Sequence, residues 1–207
     1  MIFYIILISI IMVFVVGLNI IFSCPVFDIS VGYVFFATFV SLFGVLVIDA
    51  LTAFLTHKLP KKWVDPFKKN FQVSKGEKNF YEKLGVRKFK DLLPDGGVFV
   101  NFKKSKVENK ESIEYVEKYL LESTYGEVDH IVSIFTGFLI ILFFPIKFVF
   151  CFGLPIAIAN IVLNYMPIMA LRYNRYKLFI LHKRLARTDN LKTERKNNDN
   201  NISNQTN

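Results

Sequence analysis

The chain has 207 residues, more than half of them hydrophobic, with 23 Phe and a net charge of +9. A mean hydropathy of +0.37 is too apolar for an ordinary soluble domain of this length and points to an all-α integral membrane protein. Two cysteines and three histidines exclude a disulfide framework and a Cys- or His-cluster metal centre, because a catalytic metal usually takes three protein ligands. No metal and no resident cofactor are expected.

Crossing hydrocarbon takes about 20 helical residues. The first run that qualifies is residues 1–23, MIFYIILISIIMVFVVGLNIIFS. It lacks the basic leader and small-residue cleavage site of a signal peptide, and is expected to remain as an anchor helix. A second span is expected from Gly32 to Leu55 and a third from Ile131 to Phe152, interrupted by Lys147. A fourth follows from Leu154 to Leu171, with Pro145, Gly153 and Pro155 marking the turn between the last two. The chain then divides into a two-span hairpin (1–56), a connector (57–121), a two-span region (122–187) and a tail from Thr188. Rich in Asn and Lys, that tail is expected to be unstructured.

Of the 26 Lys and Arg, 16 lie between His57 and Asp129 and nine after Leu171, whereas CPVFDIS at 24–30 carries none. By the positive-inside rule both termini and the connector should be cytoplasmic, in a multi-pass membrane protein. The positive charge suits anionic lipid rather than nucleic acid, for which there is no motif. Within the connector, FYEKLGVRKFKDLLP (80–94) puts Tyr81, Leu84, Phe89, Leu92 and Leu93 on one half of a helix. Lys83, Arg87, Lys90 and Asp91 fall on the other, the pattern of a helix lying in the headgroup layer. VFVNF at 98–102 reads as a short strand, and residues 111–121 as a helix leading into ESTYGEVDH (122–130).

The topology brings separated polar groups to one level. Asp49 lies about 10 Å inside the end of span two, where an acid faces a partner, a wet cavity or a connector lysine. Glu122, Glu127 and His130 open span three, and RYNR (172–175) closes span four. If 122–130 is helical, Glu122, His130 and Glu127 share an arc of about 140° with His130 in the middle. A histidine flanked by carboxylates suits general acid and base chemistry on a hydroxyl; the same residues also suit a polar collar at a helix start. Arg172 and Arg175, with Lys177, read either as a fork for donor phosphates or as anchors in the headgroup layer. Asn160 and Asn164, one turn apart, suit interhelical hydrogen bonds.

Three blocks together resemble the glycosyl-4,4'-diaponeurosporenoate acyltransferase family, small bacterial membrane proteins of the last, acylating step of staphyloxanthin-type carotenoid synthesis. They are YEKLGVRKFKDLLPDGG (81–97), EKYLLESTYGEVDHIVSI (117–134) and RYNRYKLFILHKR (172–184). The family pattern falls on Arg87, Lys88, Phe89 and Lys90, on Glu122, Glu127 and His130, and on Arg172, Tyr173, Asn174 and Arg175. Phe89, Tyr125, Tyr176 and Lys177 depart from it, and the first two spans form a longer N-terminal part. The resemblance implies transfer of a fatty acyl group to a hydroxyl of a glycosylated lipid or carotenoid. The expected partners are then membrane lipids, a glycoside acceptor and an acyl donor, with acyl-CoA as co-substrate. Catalytic work is expected of His130, Glu127 and Glu122. Substrate binding is expected of Arg172, Tyr173, Asn174, Arg175, Arg87, Lys88 and Asp49. The alternative is a non-catalytic scaffold or regulator of a lipid-pathway enzyme, which needs only surface charge at these positions.

Overall fold

A computed structural model describes residues 2–93 and 112–205. The described residues form helices and turns with no strand, and four helical segments are long and apolar enough to cross a membrane: Ile2–Phe27, Val31–Thr56, Ile113–Phe143 and Ile146–Leu191. The proposed strand at 98–102 lies outside the described residues.

The first span joins α1 (Ile2–Leu18) to α2 (Cys24–Phe27) through a π turn at Asn19–Ser23. Asp28 ends it in the left-handed region at φ 50, and Ser30 caps α3 (Val31–Thr56) by accepting from the Tyr33 N–H at 3.2 Å. A capped restart within three residues is what makes the first two spans a hairpin. Large apolar side chains such as Val13, Phe36 and Phe54 are exposed along both helices, as a lipid-facing surface requires.

The third and fourth spans part earlier than hydropathy suggests. α6 (Ile113–Thr136) runs unbroken through ESTYGEVDH, capped by Ser112, then tightens into a 3-10 segment at Gly137–Phe143. The turn falls at Phe144 and Pro145, so Lys147 opens the fourth span rather than interrupting the third. Pro145 has no N–H to continue the ladder and stops the helix there. α7 (Ile146–Phe148) and a π turn (Val149–Gly153) lead into α8 (Leu154–Gln205), where Pro155 sits in a first turn that needs no N–H. No Gly or Pro follows Pro167, and the backbone of α8 stays helical to Gln205 where composition predicts an unstructured tail.

Within the spans, irregular backbone is matched by a side chain from a neighbouring helix. Pro167 removes the N–H that would serve the Leu163 carbonyl, and Tyr4 Oη donates to that oxygen at 2.9 Å. The π turn at 149–153 leaves the Cys151 carbonyl to Asn19 Nδ2, 2.7 Å away; Asn19 is buried and its own Oδ1 accepts from Ser23. Both contacts tie span one to span four where lipid offers no partner.

The connector forms a roof against the lower part of α8. α4 (Lys75–Lys83) is capped by Ser74, which accepts from the Glu77 N–H at 3.1 Å. The amphipathic helix expected over 80–94 is divided: Gly85 at φ 80 ends α4 and a short α5 (Val86–Phe89) follows. Tyr81, Val86, Phe89 and Leu93 pack on Met166, Met169, Ala170 and Tyr173, while Leu84 and Leu92 stay exposed. Beyond the roof, Val116, Tyr119 and Leu120 of α6 pack on Leu178 and its neighbours in α8, so the two helices remain paired outside the apolar stretch.

Candidate functional site

Two polar networks meet where α3, α6 and α8 cross under the roof. The first is built on Glu127, which is buried. Its Oε1 accepts from Arg172 Nη1 and its Oε2 from Arg175 Nη1. Arg175 is completely buried. Its remaining N–H groups go to the Phe71 carbonyl at 3.2 Å, the Ser123 carbonyl at 2.7 Å and Ser123 Oγ at 3.1 and 3.3 Å. A guanidinium has five N–H donors, and this set occupies them all.

Arg172 is equally engaged. It pairs with Glu77 through Nε and Nη2, and reaches the Asn70 and Gln72 carbonyls at 3.4 Å. Neither arginine therefore presents the free fork to donor phosphate that one of the two sequence readings of these residues requires. Two guanidiniums and two carboxylates, Glu77 and Glu127, instead form a neutral cluster that fastens residues 70–77 to α6 and α8. Burial works to raise the Glu77 carboxyl, but hydrogen bonds from Arg172 and Tyr81 and the nearby charges of Arg172 and Arg175 outweigh it and hold it low. Burial, then the Glu77 carboxylate, push the Tyr81 phenol above its ordinary value.

The second network lies one turn further along α6. His130, half-buried, places Nδ1 2.8 Å from Asn164 Oδ1. Asn164 Nδ2 reaches Asp49 Oδ2 at 3.1 Å, and Asn160 Oδ1 and carbonyl at 2.9 and 3.1 Å. Asn160 Nδ2 donates to the Ser133 carbonyl at 3.0 Å and to Asp49 Oδ1 at 3.4 Å. The interhelical role read for the two asparagines is what the structure shows, and Asp49 meets them rather than a connector lysine. Asn160 is admitted by Gly137: a Cβ there would stand 2.1 Å from Asn160 Nδ2.

Asp49 lies about 27 Å along α3 from Val31, and Asn164 a similar length from Ile146, at 1.5 Å per residue. With a hydrocarbon core of about 30 Å, both sit within a turn or two of its connector end. That depth explains why every amide in the network is used.

The expected trio of Glu122, His130 and Glu127 does not assemble around the histidine. Glu127 is held by the two arginines, and the neighbour placed on Nδ1 of His130 is Asn164. Glu122 turns to His57, with Oε2 3.9 Å from Nε2. His57 in turn stacks on Tyr125 at 5.4 Å, and Tyr125 Oη donates to the Leu59 carbonyl. This pair lines a cleft of about 770 Å³ with Lys61, Lys62 and Lys118.

The remaining residues lie on the roof side. Tyr173 is buried; its Oη donates to Glu82 at 3.1 Å and accepts from Arg87 Nε at 3.2 Å. The Lys78 ammonium, joined by Arg87 and Tyr173 against an opposing desolvation, pulls the Glu82 carboxyl down to about 2. Arg87 and Lys88 are exposed, and Asn174 is half-buried outside both networks. The asparagines and Gly137 are the residues that sequence reasoning did not place at the site; the one-turn spacing of Asn160 and Asn164 in an apolar span was their only signal.

A four-span helical membrane protein with a polar site at one membrane face, closed by an amphipathic roof, is the class this geometry defines. Residues 60–184, more than half of the chain, match the CrtO family, glycosyl-4,4'-diaponeurosporenoate acyltransferase, and the chain belongs to that family. No curated protein and no solved structure matches it.

Proposed function

We propose that the protein transfers a fatty acyl group from acyl-CoA to a hydroxyl of a glycosylated lipid or carotenoid at the cytoplasmic face of a bacterial membrane, with His130 as general base. The observation that carries this is the position of His130: a half-buried imidazole at the end of the apolar stretch, inside the family-matched region and held by Asn164. Acids alone would serve a polar collar. An imidazole held by a buried amide supports acid and base chemistry on a hydroxyl.

Burial also supports catalysis over scaffolding. A scaffold needs its charges on the surface, yet Glu127 and Arg175 are buried and paired. Glu127, Arg172 and Arg175 then act as the frame beneath His130, with Tyr173 holding the roof through Glu82 and Arg87. Donor phosphates meet the basic cytoplasmic face, where Lys61 and Lys62 line the cleft beside His57 and Tyr125. Lys58, Lys61 and Lys62 at the start of the connector and the basic tail support a cytoplasmic position for that face under the positive-inside rule.

The test is lipid mass spectrometry on cells carrying the protein or His130→Ala. An acylated glycolipid present with the first and absent with the second, at equal protein in the membrane, is expected. Undiminished acylation by the variant would remove His130 from the reaction.

A further inference from the structure

The connector leaves span two through a turn that carries charge without counter-charge. Between His57 and Phe71 there are five lysines and one acid, Asp65, whose Oδ1 accepts from the Phe67 N–H at 2.9 Å. Among the described residues none of the five makes an ion pair. Lys61 and Lys62 line the cleft beside His57; Lys58, Lys68 and Lys69 do not, and all three are exposed. Lys68 Nζ donates to the Lys62 carbonyl, which draws its ammonium to the backbone beside Trp63. Like charges gathered in this way repel unless an anion lies among them.

The turn is fixed by hydrogen bonds, and its largest apolar side chain is left outside. The Leu59 N–H donates to the Thr56 carbonyl at 3.0 Å, Trp63 N–H to Pro60 at 2.8 Å and Val64 N–H to Lys61 at 3.2 Å, which coils residues 56–64 into tight turns. Trp63 therefore stays close to the end of the span. Val64 is turned to the protein at 1% exposure, whereas Trp63 is 60% exposed. At the far end of the segment Arg172 and Arg175 hold the carbonyls of Asn70, Gln72 and Phe71. Lys58 gives the level: its Nζ lies 4.0 Å from the centroid of Phe54, an exposed ring of the lipid-facing surface, so its stem runs along hydrocarbon and its ammonium meets the headgroups.

We propose that Trp63, with Lys58, Lys68 and Lys69, forms a binding surface for anionic phospholipid, the indole lying in the headgroup layer and the ammonium groups taking lipid phosphates. Indole is an interfacial side chain, apolar in body with one N–H to donate, and unpaired lysines beside it select negative headgroups over zwitterionic ones. A soluble phosphate would satisfy the cations but leave Trp63 in water. A leaflet satisfies both. The surface does not depend on the reaction proposed for His130.

Trp63 is the one tryptophan of the chain, so the emission of the full-length protein reports this turn alone. In phosphatidylcholine nanodiscs, phosphatidylglycerol brominated on its acyl chains should quench Trp63 more than the same mole fraction of brominated phosphatidylcholine, and high salt should remove the difference. Lys58→Gln, Lys68→Gln and Lys69→Gln should each lower the relative affinity for phosphatidylglycerol about five-fold, the contribution of a lysine near an anionic surface. The triple variant should show no preference, whereas Lys147→Gln, at the other end of the spans, should keep it. Equal quenching by the two lipids, no quenching by either, or an unaltered preference in the triple variant overturns the inference. Coenzyme A offers phosphate from solution, and no response to it is expected. If it shifts the Trp63 emission in phosphatidylcholine nanodiscs and displaces the brominated phosphatidylglycerol, the surface belongs to a soluble anion and the lipid assignment falls.

Discussion

Glu127 is the residue on which two buried cations depend. It accepts from Arg172 and Arg175 on its separate oxygens, and Arg175 has no contact with water. Removing one member of such a pair leaves charge buried without compensation, which costs about 3 to 5 kcal/mol. Glu127→Ala should therefore lower the unfolding temperature of the detergent-solubilised protein sharply, and acylation should vanish along with the fold. Glu122→Ala should lower that temperature much less, because His57 lies 3.9 Å from Glu122 Oε2, a buried oxygen that accepts no hydrogen bond, so its removal breaks none there. The two acids look alike in sequence, and what separates them is the face of α6 each occupies.

Among the elements, the 3-10 segment that follows α6 admits Asn160 of α8 because Gly137 has no side chain. Gly137→Ala would drive Asn160 from Ser133 and Asp49, leaving buried polar groups unpaired at about 1 to 3 kcal/mol each. The expected result is a lower denaturation midpoint and weak acylation. Gly17→Ala is the matched control: nothing stands within 4 Å of its Cβ, and the change should be neutral or slightly stabilising.

The roof depends on pH through Glu77. Its carboxyl is held below the ordinary 4.5 in the folded protein by Arg172 and Tyr81, with Arg175 adding charge, in spite of burial. A depressed carboxylate contributes stability that is full above its unfolded value and is lost as pH falls through the folded one. Docking of α4 should thus be unaffected at neutral pH and weaken below about 4.5, read as growing protease cleavage within residues 57–93. Glu77→Gln should dock more weakly at pH 7 and show a flatter response to acid.

For the whole molecule, the asymmetry of charge predicts the sidedness of the spans. With Cys24 and Cys151 replaced by serine, a cysteine at Lys147 should react with an impermeant maleimide in intact cells. Cysteines at Lys61 and Arg184 should react only after the membrane is opened. The reverse pattern would place the site at the outer face, away from a cytoplasmic thioester.

The sequence by itself determined the class, four spans, the hairpin pairing and the level at which the polar blocks meet, because hydropathy, chain length and loop charge act through solvation and need no knowledge of neighbours. It also held the family pattern, since those blocks are contiguous. It carried the third span on to Phe152, past the turn that Pro145 marks, because apolar residues continue on both sides of Pro145. It gave His130 the wrong partners, since an arc on one helix says nothing of what the next helix presents. Only the tertiary structure decided that Glu127 belongs to two arginines, that Arg172 and Arg175 have no donor to spare, and that Asn164 and Asp49 stand behind the histidine. Each of those outcomes is a hydrogen bond between residues at least 34 positions apart, and at that separation the packing of helices, not the order of residues, selects the partner.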